Sequence, residues 1–274
     1  MLTIPLDWQE RLTSMNDDEI ELTGGNSNTC VVKIGNTVRR AVGEQSPTVH
    51  RILQFLSANG FKGSPRFIGI DDKGREILSF LHGSCEISER AWTSEEVLIS
   101  AATLLKEFHD VIAQFPKRSD DIWGFEYPDK NRHDTICHND FALYNVVIND
   151  NICSGVIDFD LVGPGPRIRD VAYAAYWFVP ISQNALDMKS YALSDVDNGC
   201  ARLKKFCKIC NVRANSEFLD MVSEVLHDMA DEDMMIRLIG AEQTRRLKEG
   251  GHLEHWTNEA LAFDQYRGSI ELEL

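Results

Sequence analysis

The eight residues HNDFALYN, from His138 to Asn145, and the tetrapeptide IDFD that ends at Asp160 hold the side chains of this 274-residue chain whose types and spacing can do chemistry. Phosphoryl transfer needs a carboxylate beside the acceptor hydroxyl. Separately it needs a carboxylate and an amide oxygen to hold magnesium against nucleotide phosphates. Asp140, Asn145 and Asp158 supply that set.

Local sequence explains how Asn145 and Asp158 can share a site. Val146, Val147 and Ile148 read as a short strand, Asn149, Asp150 and Asn151 are turn formers, and 152–157 reads as a second strand. Antiparallel pairing about that turn brings Asn145 and Asp158 together at the open end of a hairpin, where both can reach one ion. The alternative, a chance HxDxxxxN pattern of solvated turn residues, is weakened by the hairpin and the downstream DxD.

These segments resemble the aminoglycoside phosphotransferase and choline kinase group, small-molecule kinases that share the protein-kinase fold and carry HxDxxxxN followed by IDxD. The resemblance implies an α+β, bilobal architecture, with a small antiparallel-sheet lobe over residues 1–83 and a larger, mostly helical lobe over residues 84–274. It implies that Asp140 orients or deprotonates the acceptor hydroxyl, that Asn145 and Asp158 bind Mg2+, and that His138 braces the catalytic loop. Asp160 either contacts the metal through water or caps the loop running into GPGPR. The stretch Arg169-Asp170-Val171-Ala172 is similar to the RDxA that opens a helix in this group, where its role is structural.

In the first lobe Gly24, Gly25, Asn26 and Ser27 precede a β-like run over 29–34, and Gly35-Asn36 turns into Thr37-Val38-Arg39-Arg40. Small residues let backbone N–H groups approach phosphates, as in a kinase glycine-rich loop, although a plain turn would use the same residues. Members of the group carry a basic residue, usually lysine, on the next strand. Period-two alternation puts Val38 and Arg40 on one face, Val38 suited to cover adenine and Arg40 to reach the phosphates, with Arg39 pointing away. The helix expected over 46–59 buries Val49, Ile52, Leu53 and Leu56 but lacks the glutamate that commonly pairs with the strand's basic residue. Its nearest polar candidates are His50 and Gln54, and His50 reads better as structural. Strands over 65–70 and 76–81, joined by Asp71-Asp72-Lys73-Gly74, lead to a hinge near Gly83. The resemblance places the adenine edge against backbone groups near Ser79, Phe80 and Leu81.

Thr93-Ser94-Glu95-Glu96 caps a helix through Leu98, Ala102, Leu105 and Phe108 that ends near His109, and His109-Asp110 reads as packing and capping. Amphipathic patterns at 217–230 and 234–247 predict helices on the acceptor side. Trp177 and Trp256 suit either a stacked cation or, more simply, the core.

Twenty-eight basic against forty-three acidic residues give a net charge of −15, which disfavours nucleic acid or anionic membrane as partners. The same charge suits a cationic acceptor, though acidity also serves solubility. The opening MLTIPLDWQERL lacks a basic region followed by an apolar run, and no apolar stretch is long enough to span a bilayer, so a cytoplasmic protein is expected. Seven cysteines do not suggest a disulfide framework. Cys200, Leu203, Cys207 and Cys210 fall on one helix face, which favours burial over a zinc site despite the CxxC. The expected activity is transfer of the terminal phosphate of ATP or GTP to a hydroxyl of a small, cationic, antibiotic-like molecule by a monomer or weak dimer. A metabolite kinase and a nucleotide-binding module without turnover are the alternatives.

Overall fold

The computed structural model describes residues 19–22, 31–86, 93–179, 181 and 196–274. By contacts the chain divides into two compact units, Met1–Gly43 with Pro65–Phe80, and Glu44–Ser64 with Leu81–Leu274.

The smaller unit is one antiparallel sheet. Its strands are β1 (Ile20–Glu21), β2 (Val32–Ile34), β3 (Thr37–Arg40), β4 (Phe67–Ile70) and β5 (Glu76–Ser79), in the order β1-β2-β3-β5-β4. The β2–β3 hairpin turns at Gly35, whose φ of 56° lies in the left-handed region that glycine enters without a side-chain penalty. The β4–β5 turn is held by Asp71, whose carboxylate accepts from the N–H groups of Lys73 and Arg75. β4 begins at Phe67 rather than at Pro65, since proline offers no N–H to a ladder.

The larger unit contains α1 (Ser46–Ala58), α2 (Glu95–Ile112), β6 (Thr135–Cys137), β7 (Val146–Asn149), β8 (Ile152–Val156), β9 (Gly163–Gly165) and α3 (Arg167–Phe178). Five further helices follow among the described residues: α4 (Val196–Ile209), α5 (Ser216–Ala230), α6 (Glu232–Ile239), α7 (Ala241–Glu249) and α8 (His252–Glu273). The sequence reading ran the first lobe unbroken to residue 83. By contacts α1 instead groups with the larger unit, because its Val49, Ile52, Leu53 and Leu56 are buried and it packs on α2.

α2 is the spine of this unit. Ser94 caps it by accepting from the Val97 N–H at 3.2 Å, and two glutamates in the first turn suit the positive end of the helix dipole. Val97, Leu98, Ala101, Ala102, Leu105, Phe108 and Ile112 are buried against β8, α1, α3 and α4. Each large apolar side chain there contributes roughly 1.5–3 kcal/mol on leaving water. Cys207 and Cys210 of the CxxC are part of this packing, and the Cys210 thiol donates to the Ala102 carbonyl of α2 at 3.5 Å.

One local expectation changes. The pattern at 234–247 forms not one helix but α6 and α7, divided at Gly240, whose φ of 84° no continuous helix contains. The loop after Asp160 runs into β9, formed by the first three residues of GPGPR and paired with β6 in the register Thr135↔Gly165, Ile136↔Pro164 and Cys137↔Gly163. A Cβ on Gly163 would sit 1.8 Å from the Phe125 carbonyl oxygen, so the close approach requires glycine there. No helix among the described residues is long and apolar enough to cross a membrane.

Candidate active site

β6 delivers the chain into the loop 138–145, and one carboxylate fixes that loop's start. Asp170, in the first turn of α3 and without solvent exposure, accepts from the N–H groups of His138 and Asn139 at 2.8 Å each. It also bonds His109 Nε2 at 2.8 Å. Burial alone would raise its pKa, but the hydrogen bond from His109, the nearby histidines and the His138 N–H outweigh it and hold the carboxyl below its ordinary value. Asn139 takes φ 65°, a conformation asparagine tolerates, and its Nδ2 donates to the Leu161 carbonyl at 2.8 Å. The RDxA segment and His109 thus do the structural work expected of them.

His138 is fully buried, with Phe159 edge-to-face at 4.8 Å between ring centroids. Its Nδ1 accepts from the Asp140 N–H at 3.3 Å, a brace on the loop. Burial pushes its pKa down to about 4, against the opposing pull of Asp170, so the ring is neutral and Nδ1 can serve as an acceptor.

The Asp140 carboxylate is ringed by donors. Oδ1 accepts from Tyr144 Oη at 2.6 Å and from Tyr173 Oη at 3.1 Å, while Oδ2 accepts from Asn145 Nδ2 at 2.7 Å. Asn145 Nδ2 also reaches the Asp140 carbonyl at 3.0 Å. Burial raises the Asp140 pKa to about 6, and the Asp158 charge adds to the rise while the three donors oppose it. A carboxylate with this pKa is ionised near neutral pH yet basic enough to take a proton.

The hairpin forms as read. Asp150 and Asn151 take φ 47° and 64°, the pair of left-handed residues of a tight two-residue turn between Asn149 and Ile152. Val146 pairs with Val156, and the Ile157 N–H donates to the Asn145 carbonyl at 2.8 Å. Asp158 follows immediately, exposed and at φ 63°. Asn145 and Asp158 therefore leave the same end of one ribbon, and Asp158 is near enough to act on Asp140 electrostatically. Asp160 is half-buried and close enough to His138 to raise that ring's pKa.

This donor set fits a magnesium ion bound with nucleotide. Asn145 commits its amide nitrogen to Asp140, which leaves the amide oxygen on the opposite side of the carboxamide. Among the described residues no group of three or more His, Cys, Asp or Glu side chains is arranged to hold a metal alone. A hard cation completed by phosphate oxygens and water needs only one or two protein carboxylates.

Within the smaller unit Val38 and Arg40 share one sheet face, opposite Leu78 and Glu76 of β5. Arg39 lies on the other face, bonded to Thr37 Oγ1 at 2.6 Å and 3.8 Å from Asp71. Arg40 forms an ion pair with Glu76, which has no solvent exposure. The carboxylate sought on the helix comes instead from the neighbouring strand. The N–H of Ser79 donates to the Arg66 carbonyl and that of Phe80 to the Asn36 carbonyl, both at 2.9 Å. Any adenine contact near Ser79, Phe80 and Leu81 must therefore use other backbone groups. Leu81 groups with the larger unit, against Gly155. Gly24, Gly25, Asn26 and Ser27 lie outside the described residues.

Sequence reasoning missed Tyr144, Tyr173 and Glu76. Tyr173 stands three residues after Asp170 on α3, the helical spacing that shares a face, and Tyr144 directly precedes Asn145, so both carried a usable signal. Glu76 carried none, because strand neighbours β3 and β5 are separated in sequence by α1 and β4. Trp256 is a core residue at 2% exposure, while Trp177 is half-buried and edge-to-face with Tyr144 at 5.2 Å.

Residues 114–205, which hold the 138–145 loop, the hairpin and α3, match the phosphotransferase enzyme family. The fold is similar to the gentamicin complex of APH(2″)-IIa, with a TM-score of 0.57 at 15% identity over 95% of this chain and 97% of that one. It is also similar to an amicoumacin kinase in complex with AMP-PNP and Ca2+, with a TM-score of 0.56 at 11% identity over 90% and 95% of the two chains. In sequence, 165 residues are 34% identical to the trifolitoxin immunity protein of Rhizobium leguminosarum bv. trifolii; they make up 58% of this chain and 62% of that protein, less than two thirds of its length. The architecture is the bilobal, α+β, kinase-like fold of the aminoglycoside phosphotransferases, as the residues from His138 to Ala172 had indicated.

Proposed function

We propose that the protein transfers the terminal phosphate of ATP or GTP to a hydroxyl of a small, cationic, antibiotic-like molecule. The observation that carries this reading is the Asp140 carboxylate, with its pKa raised to about 6, hydrogen-bonded to Asn145 at the mouth of the hairpin that also delivers Asp158. The match of residues 114–205 to the phosphotransferase family and the immunity protein among its relatives support a role in inactivating a toxic compound. The net charge of −15 supports a cationic acceptor and disfavours nucleic acid or an anionic membrane as a partner.

Asp140 accepts a hydrogen bond from the acceptor hydroxyl and takes its proton as the oxygen attacks phosphorus. His138 and Asp170 hold the loop so that the carboxylate meets that oxygen. The amide oxygen of Asn145 and the carboxylate of Asp158 would hold Mg2+, with Asp160 through water. When bound, the ion neutralises charge between the terminal phosphates. Gly24, Gly25, Asn26, Ser27, Val38, Arg40, Ser79, Phe80 and Leu81 are the proposed nucleotide contacts, Arg40 in an ion pair with Glu76.

Asp140→Asn should bind Mg·ATP nearly normally and lose turnover, whereas Asp158→Ala should weaken Mg-nucleotide binding. Turnover of Asp140→Asn within about tenfold of wild type, roughly 1.4 kcal/mol of barrier, would remove Asp140 from its role. Mass spectrometry after incubation with nucleotide and a panel of aminoglycosides, peptide antibiotics, sugars and amino alcohols identifies the acceptor by a phosphate mass gain. A gain on a metabolite alone favours a metabolite kinase, and nucleotide binding without any gain favours a non-catalytic module.

A further inference from the structure

Counting lone pairs at Asp140 shows more than a general base. Oδ1 receives two hydroxyl donors, Tyr144 Oη at 2.6 Å and Tyr173 Oη at 3.1 Å, and the two hydroxyls lie 2.9 Å apart. Oδ2 receives one, Asn145 Nδ2 at 2.7 Å. A carboxylate oxygen offers about two lone-pair sites, so Oδ1 is filled and Oδ2 keeps one. Neither tyrosine is a loose neighbour. Tyr173 is 4% exposed on α3, the helix whose Asp170 fixes the loop backbone. Tyr144 belongs to the 3-10 turn Leu143–Asn145, and its ring meets Trp177 edge-to-face, which in turn packs on Tyr176 and Trp256. The aromatic stack thus sets the position of both hydroxyls.

We propose that Tyr144 and Tyr173 are a positioning pair for the acceptor: by filling Oδ1 and fixing the carboxylate plane, they make Oδ2 the atom of Asp140 that the incoming hydroxyl meets. This inference rests on the phosphotransferase reading and adds residues that reading does not contain. In the step it describes, the acceptor oxygen forms a bond to the terminal phosphorus and the bond from phosphorus to the bridging oxygen breaks. The nucleoside diphosphate leaves with that electron pair, and the acceptor's proton passes to Oδ2 of Asp140. Without the pair the carboxylate can rotate about its Cβ–Cγ bond and present a misdirected oxygen, a loss of alignment and not of nucleotide affinity.

Water serves as the probe acceptor, and the rate is read as inorganic phosphate released from Mg·ATP by the full-length protein. Tyr144→Phe and Tyr173→Phe keep the rings and their packing but remove the hydroxyls. Each should lower kcat about tenfold, with KM for Mg·ATP and the melting temperature close to wild type. A merely structural role would lower the melting temperature and move KM with kcat. Should Tyr173→Phe fail to fold, Tyr144→Phe decides alone, since Tyr144 is 36% exposed. If Asp140→Asn is inactive while both tyrosine variants keep kcat within twofold, or change only KM, this proposal is overturned and the phosphotransferase reading stands. If wild type releases no more phosphate than Asp140→Asn, that reading falls and the positioning role with it.

Discussion

Replacing Asp170 by alanine tests how the 138–145 loop is held without any assumption about the reaction. The change removes the acceptor of three hydrogen bonds, from His138 N, Asn139 N and His109 Nε2, each 2.8 Å long, the first and last of them buried. A buried donor left without a partner costs roughly 1–3 kcal/mol, more where the lost acceptor was charged. Partial relaxation and water entry reduce the sum, so a loss of about 3–6 kcal/mol is expected, a large share of a typical domain stability of roughly 5–15 kcal/mol. Asp170→Asn keeps one acceptor oxygen but turns an amide N–H toward a backbone donor, and should lose about half as much as the alanine variant. Urea unfolding followed by tryptophan fluorescence measures both. The acid limb gives an independent check. The Asp170 carboxyl titrates below its ordinary value when folded, so its contribution is present above that ordinary value and is lost as pH falls through the lowered one. Wild type should therefore lose stability more steeply in acid than Asp170→Asn. An Asp170→Ala protein within about 1 kcal/mol of wild type would refute the claim that this carboxylate organises the loop.

Glu76→Gln should destabilise the sheet unit by about 1–3 kcal/mol, because it removes the buried carboxylate charge that faces the Arg40 guanidinium; a melting temperature within a degree of wild type would show that the pair is dispensable. Gly124→Ala should be among the most damaging single-methyl additions, since the new Cβ would lie 1.7 Å from the Asp160 carbonyl oxygen and must displace that loop. Its soluble yield and urea midpoint should fall well below those of Gly74→Ala, a positive-φ glycine with open space around it. In an Asp140→Asn background, which removes the opposing titration of that carboxyl, His138 should dominate the acid side. Its folded pKa is lowered to about 4, so its contribution is intact above the ordinary histidine value and disappears as pH falls toward 4. His138→Phe in the same background should flatten that part of the stability-versus-pH curve, and an unchanged slope would count against burial of a neutral ring.

What could be read in the sequence was local. The turn chemistry of Asp150 and Asn151 and the alternation from Val146 to Ile157 gave the hairpin, and with it the nearness of Asn145 to Asp158, because period-two pairing about a short turn leaves little freedom of register. The apolar stripe of α1 and the cap of α2 were equally local. Tertiary structure decided what depends on strand order and on side-chain direction in three dimensions. It placed Glu76 beside Arg40 through pairing across an intervening helix and strand, and it paired Gly163–Gly165 with β6 where the Phe125 backbone approaches Gly163 too closely for a side chain. It also converged Tyr144 and Tyr173 on one oxygen of Asp140 from a turn and a helix. Spacing along a chain encodes neighbours within an element or a hairpin, whereas partners brought together by packing of separate elements are set by the free energy of the whole fold and leave no periodic mark on any one segment.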